Sequence, residues 1–188
     1  MKTILCCLFC ILTAYTSYAQ IDENVVSVRE RKIAEKKAKQ EAQRQEDELE
    51  IAKVKDMLTK RRFVLEANYL SGRTGLRRSV MSSLNFIKMD SASCIIQVGS
   101  NNGIGANGVG GVTANGRVNK YDLVVDKRGG YTLKVTVSSS LGFFDIVFFI
   151  SQSGNTTADL RGNSSGVLTY SGQIFNFKDS HVYKGNSM

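Results

Sequence analysis

No proline occurs anywhere in the 188 residues. Every sharp reversal of the backbone must therefore rest on glycine or asparagine, which tolerate positive φ. Histidine is almost as scarce, with His181 alone. That excludes a multi-histidine metal site and leaves a Ser-His-Asp or Cys-His arrangement barely feasible. Of the four cysteines, Cys6, Cys7 and Cys10 fall in the first ten residues, and Cys94 stands by itself in the apolar run Cys94-Ile95-Ile96. If the first three leave with a cleaved leader, the one remaining cysteine makes no internal disulfide, so a hydrophobic core must hold the fold. Cys94 reads as a small buried hydrophobe. No glycine precedes Gly72, although the chain has 17. That step in composition marks a domain boundary close to Arg62.

The first nineteen residues have the features of an export signal. Lys2 gives a positive start, Ile4 to Leu12 form a short apolar core, and Ser17-Tyr18-Ala19 offers small residues for cleavage before Gln20. The apolar run is too short to span a bilayer. Cys10 is preceded by Cys7-Leu8-Phe9 rather than by the small residues a lipid-attachment site needs. The expectation is an exported chain, periplasmic or secreted, with no retained transmembrane segment and no lipid anchor.

Removing Lys2 with the leader leaves 24 basic against 17 acidic groups. The excess is mild and dispersed: Arg61-Arg62, Arg77-Arg78 and Lys127-Arg128 are pairs, not a stripe. Nucleic-acid binding calls for clustered charge with interleaved aromatics, so no nucleic-acid partner is expected.

Residues 20–61 form a charged segment, and residues 27–61 within it read as one helix. They lack Gly and Pro and are rich in Ala, Glu, Lys, Gln and Arg. Ser27 with Glu30 has the spacing of a capping box. Ile51, Val54, Met57 and Leu58 make a narrow apolar stripe suited to docking on a neighbouring surface.

From Arg62 the apolar period changes to two. Phe63, Leu65, Ala67 and Tyr69 share one strand face. Residues 71–82 read as a loop. Further strands are expected at Leu84–Met89, Cys94–Val98, Val118–Asp126 and Tyr131–Ser138, then Phe143–Ser151, Thr156–Arg161, Val167–Tyr170 and Ile174–Phe177. Phe143–Ser151 is apolar on both faces and so reads as a central strand or one covered on both sides. No helical pattern separates these strands, so residues 62–188 should form one antiparallel β domain, a closed barrel or a sandwich.

Gly99 to Gly116 carries seven of the glycines and holds no Asp or Glu, which removes the ligands for calcium. Gly103-Ile104-Gly105-Ala106-Asn107-Gly108 spells the dinucleotide fingerprint G-x-G-x-x-G. The Val-Gly-Gly-Val-Thr run after it cannot open the helix which that chemistry needs. No cofactor is therefore expected. Asn115-Gly116 has the signature of a type I′ hairpin turn. Gly110-Gly111 suggests a bulge or a close backbone approach. Among the carboxylates Asp122, Asp126, Asp145 and Asp159, only Asp145 sits between apolar neighbours, where burial would demand a partner such as an arginine. No catalytic residue and no metal site is assigned.

Residues 55–188 resemble the DUF4251 family of exported Bacteroides-type proteins. The resemblance rests on Arg62-Phe63-Val64-Leu65-Glu66-Ala67, Leu84-Asn85-Phe86-Ile87, Ile96-Gln97-Val98-Gly99-Ser100, Asn107-Gly108-Val109-Gly110-Gly111-Val112-Thr113, Tyr170-Ser171-Gly172 and Val182-Tyr183-Lys184-Gly185. It implies a lipocalin-like barrel or half-barrel and a cell-envelope location, and it brings no catalytic residues.

Two functional expectations arise. A barrel lined by Phe86, Ile96, Tyr121, Phe148 and Tyr170 would hold a small apolar ligand. Alternatively, a packed barrel would serve as an envelope structural or interaction module that meets another protein. In either case Asn107, Gly108, Gly110 and Gly111 are the expected ligand or partner loop.

Overall fold

The computed structural model describes residues 2–100, 105–163 and 165–187, with side chains from Arg29 onward. One helix, α1 (Lys2–Thr59), precedes nine strands. The helix does not begin at Ser27. It runs through Ser27 and the leader without a break, because no Gly or Pro interrupts either stretch. The chain divides into two compact units, Met1–Asp47 and Glu48–Met188. Among the described residues no helix is long and apolar enough to cross a membrane.

The strands are β1 (Arg62–Ser71), β2 (Arg77–Ser79), β3 (Phe86–Asp90), β4 (Ser93–Val98), β5 (Val112–Val125), β6 (Tyr131–Ser139), β7 (Gly142–Ile150), β8 (Asn155–Arg161) and β9 (Val167–Phe175). They pair in the order β2-β1-β3-β4-β5-β6-β7-β8-β9, all antiparallel, and β1 also pairs with β9. Eight strands thus close into a barrel, with β2 as an extra strand on the end of β1.

Closure fixes which side chains face inward. The cross-strand row Leu65–Ile87–Ile96–Ala114 lies inside. So does Leu133–Phe148–Ala158–Tyr170. Phe63 meets Phe148 edge to face, with ring centroids 5.7 Å apart. A β-bulge between Ala67 and Tyr69 shifts the parity of β1. Leu70 turns inward and Tyr69 turns out, so Tyr69 leaves the face that strict alternation assigns it with Phe63 and Leu65.

The last turns of α1 close the end of the barrel at which β1 starts. Leu58 is fully buried, and Val54 nearly so. Tyr121 donates its hydroxyl to the Leu58 carbonyl at 2.7 Å, and the Arg61 guanidinium lies 4.6 Å from the Tyr121 ring centroid. Arg61 itself takes positive φ, which ends the helix and turns the chain into β1.

Other expectations change in detail. Asn115-Gly116 is not a turn. Both residues lie within β5, opposite Ile95 and Cys94. Glycine suits this place because a Cβ on Gly116 would collide with Val137 across the sheet. The expected break at Gly172 is also absent, and β9 runs straight through it. There a Cβ would run into the Glu66 carbonyl, so the close approach of β1 and β9, not a turn, is what requires glycine. The doubly covered reading of β7 fails as well: Phe143 and Phe149 stand 65% and 52% exposed on the outer wall.

Candidate functional site

The glycine loop joins β4 to β5, at the opposite end of the barrel from the last turns of α1. Residues 101–104, including the first two residues of the G-x-G-x-x-G string, lie outside the described residues. The rest of the loop, residues 105–111, is organised by Asn107, which is 1% exposed. Its side-chain oxygen accepts from the backbone N–H of Val109 at 3.1 Å and of Gly111 at 2.9 Å. Its side-chain nitrogen donates to the Val98 carbonyl and to the Thr113 hydroxyl. Gly108 and Gly110 both take positive φ. A Cβ on Gly111 would strike the Val98 carbonyl, which is the close approach the Gly-Gly pair suggested. The loop is therefore a self-satisfied knot folded on one asparagine.

Asn107 belongs to a longer polar layer. The cross-strand row Glu66–Phe86–Gln97–Thr113 points to the outside of the barrel. All four residues are nonetheless buried, because the C-terminal segment crosses over them. Glu66 accepts from the Ser180 hydroxyl and the His181 N–H, each at 2.8 Å. Gln97 donates to the carbonyls of Leu84 and Tyr183 and accepts from the Thr113 hydroxyl and the Gly185 N–H. The Asn186 N–H reaches the Asn107 carbonyl at 2.9 Å. Among the described residues no buried side-chain polar atom lacks a partner.

This layer corrects one expected lining residue and refines another. Phe86 does not face the lumen; register places it on the outer row, beneath the C-terminal segment. Tyr121 faces inward, but at the end that α1 closes, where it is engaged by Leu58 and Arg61. Ile96, Phe148 and Tyr170 do point inward, into the main apolar cluster. Phe148 and Tyr170 have no accessible area at all. A water-sized space beside either ring would leave it some, so both are packed against protein on every side.

The reactive groups are spoken for. Cys94 is buried, and burial pushes its thiol up to about 12. Burial likewise raises the Tyr121 phenol to about 12, against the lowering pull of Arg61. Asp145 is exposed rather than buried, and its partner is the Thr136 hydroxyl at 2.8 Å, not an arginine. Asp159 accepts from Thr169, and Asp122 pairs with Lys120. Among the described residues no group of three metal-ligating side chains converges.

A depression of about 700 Å³ lies elsewhere, on the outer wall of β6, β7, β8, β9 and β1. Pairing lays a continuous row of outward side chains across it: Thr132, Phe149, Thr157, Ser171 and Tyr69. The β5–β6 turn brings Arg128, and β2 brings Arg77, whose guanidinium lies 3.8 Å from the Tyr69 ring centroid. The single carboxylate at the rim, Asp126, is occupied by the N–H groups of Arg128 and Gly130. Nothing in the sequence groups these residues, because they are scattered over six strands and a turn. The one local signal is the outer face of Phe143–Ser151, and its apolar character is the same signal a covered strand gives.

The DUF4251 profile (domain of unknown function) matches residues 45–174. A solved crystal structure of a DUF4251 family protein from Bacteroides eggerthii DSM 20697 is similar to the chain, at 29% identity and a TM-score of 0.62. The match covers 74% of this chain and 96% of that one. Among curated proteins none matches.

Proposed function

Since the chain belongs to the DUF4251 family, whose barrel fold it has, we propose that it is an exported, non-enzymatic module with a packed core, acting at the cell envelope through its outer surface. The observation that carries this reading is the filled interior. Phe63, Leu65, Leu133, Ile146, Phe148 and Tyr170 have no accessible area, and the end of α1 plugs one mouth. A small apolar ligand in the lumen would need a space of several hundred Å³. Opening one here means displacing several of these side chains, each worth about 2–5 kcal/mol of packing.

The non-enzymatic part is supported by the chemistry of the reactive side chains. The Cys94 thiol is held protonated and out of reach. The only histidine is exposed on the C-terminal segment, and its backbone N–H is spent on Glu66. The exported part rests on the leader.

Native mass spectrometry of the protein purified from its own envelope tests the packed core, with the bare chain mass expected. A defined co-purifying apolar mass would overturn it. Amino-terminal sequencing of the same material tests export: Gln20 as first residue is expected, and an intact Met1 start would refute cleavage.

A further inference from the structure

We propose that the outer-wall depression is a binding site for a short acidic oligosaccharide. It rests on the proposed function only in placing the contact outside the barrel. Three features of the surface point to that chemistry.

The first is its floor. Thr132, Thr157 and Ser171 line up across the strands, and Asn68 and Gln173 stand beside them. Among the described residues none of these five side chains has a hydrogen-bond partner, and all are at least partly open to solvent. Hydroxyls and amides that both donate and accept suit a ligand whose groups do the same, which is the character of a sugar. An apolar ligand would leave them unsatisfied.

The second is the aromatic pair. Phe149 and Tyr69 bracket Thr157 and Ser171, three strand spacings apart along the row, roughly 14 Å. Phe149, 52% exposed, offers a flat apolar face to the C–H face of a pyranose ring, and Tyr69, 40% exposed with the Arg77 guanidinium over one face, stands at a separation that matches a chain of a few sugars.

The third is charge. Arg128 and Arg77 approach from opposite sides of the depression, by strand order, while Asp126 is tied to backbone N–H groups. The surface thus presents two guanidinium forks and no free carboxylate, a complement for uronate or sulfate groups.

A peptide strand is the weaker occupant. β6, β7, β8, β9 and β1 are paired on both sides, so the only edge beside the depression is the three-residue β2, too short to hold an added strand by backbone hydrogen bonds.

The test is titration calorimetry of the full chain with tetragalacturonate and with neutral maltotetraose, supported by an array of uronate- and sulfate-bearing oligosaccharides. At least one acidic oligosaccharide should bind, more weakly as salt rises, and maltotetraose should bind at least tenfold less well. Phe149→Ala should weaken the acidic ligand at least tenfold, and the double variant R77Q/R128Q should abolish binding. All are exposed positions, so the urea midpoint should be unchanged. The proposal is overturned if no acidic oligosaccharide binds, if neutral ones bind equally well, or if these substitutions leave binding untouched. A protein cross-linked to this face in place of any glycan response would overturn it too. Failure here leaves the packed core standing, because native mass spectrometry tests that separately.

Discussion

Replacing Gln97 by leucine separates the polar layer from the barrel it covers. Gln97 has no accessible area and makes four hydrogen bonds with its amide. Two tie it to Leu84 and Thr113, and two to the C-terminal segment, at Tyr183 and Gly185. Leucine has a similar reach but no polar atom, so two buried and two part-buried hydrogen bonds lose their counterpart at once. Each such loss costs about 1–3 kcal/mol if the group stays buried. A sum near the top of that range is not reached, because the C-terminal segment can lift and hydrate its own two groups. The expected loss in urea unfolding is therefore about 2–4 kcal/mol, bounded by release of the segment. Hydrogen exchange separates the two routes. The N–H groups of His181, Tyr183, Gly185 and Asn186 should exchange on the order of a hundredfold faster, as expected when an opening costs about 3 kcal/mol less. Amides of β6 and β7 should change only with global stability. A loss below about 0.5 kcal/mol, with segment exchange unaltered, would refute the view that this layer is held through Gln97.

Phe148→Ala should cost about 3–5 kcal/mol in chemical denaturation, since the ring is fully buried against Phe63 and leaves a cavity; a loss under about 1 kcal/mol would mean the lumen has spare room. Native Cys94 should resist thiol reagents at pH 8 and react only on unfolding, because its thiol is buried and raised; stoichiometric labelling of the folded chain would contradict this. Alkali should destabilise the fold. Cys94 rises from 9.0 and Tyr121 from 10.0, each to about 12, so the folded state holds protons that the unfolded state has released. Stability is thus full below pH 9 and falls between pH 9 and 12, by up to about 1.4 kcal/mol per pH unit for Cys94 and by less for Tyr121, whose partial exposure lets solvent screen its shift. Urea midpoints at pH 8 and pH 11 check the fall, and Cys94→Ala should remove the part that begins at pH 9. Deleting residues 20–47 should leave the barrel's midpoint nearly unchanged, whereas Leu58→Ala, at a fully buried position, should cost about 2–5 kcal/mol.

Strand existence and the antiparallel barrel are legible in the sequence because the signals are local. Tyr131, Leu133, Val135 and Val137 alternate cleanly, and all four are buried. Turns are legible only where a residue type has one reason to be present. Glycine has two: it permits positive φ, and it permits backbones to touch. Gly108 and Gly110 serve the first purpose, whereas Gly116 and Gly172 serve the second. Composition alone does not tell these apart, so two strand interiors carry the signature of turns. Bulges are equally silent. Nothing in Ala67-Asn68-Tyr69 announces the extra residue that turns Tyr69 outward, yet that single shift places an aromatic ring on the outer wall.

The face of Phe86 shows why sites are harder to read than strands. Alternation assigns a residue to one of two faces and takes the apolar one as the interior. In β3 and β4 both faces are covered, one by the barrel's own core and one by a segment 86 to 88 residues beyond Gln97. Phe86 then looks like a lining residue and Gln97 like an ordinary outward polar group. Neither residue's role is visible until Tyr183 and Gly185 are brought against them. The opposite wall shows the reverse. Phe143 and Phe149 look doubly buried because the chain is apolar there, but no later segment of the described chain covers them. One barrel thus has a wall sealed by its own C-terminal segment and a wall left open with aromatic rings and unpartnered hydroxyls. The bare wall is the one that carries the proposed oligosaccharide site.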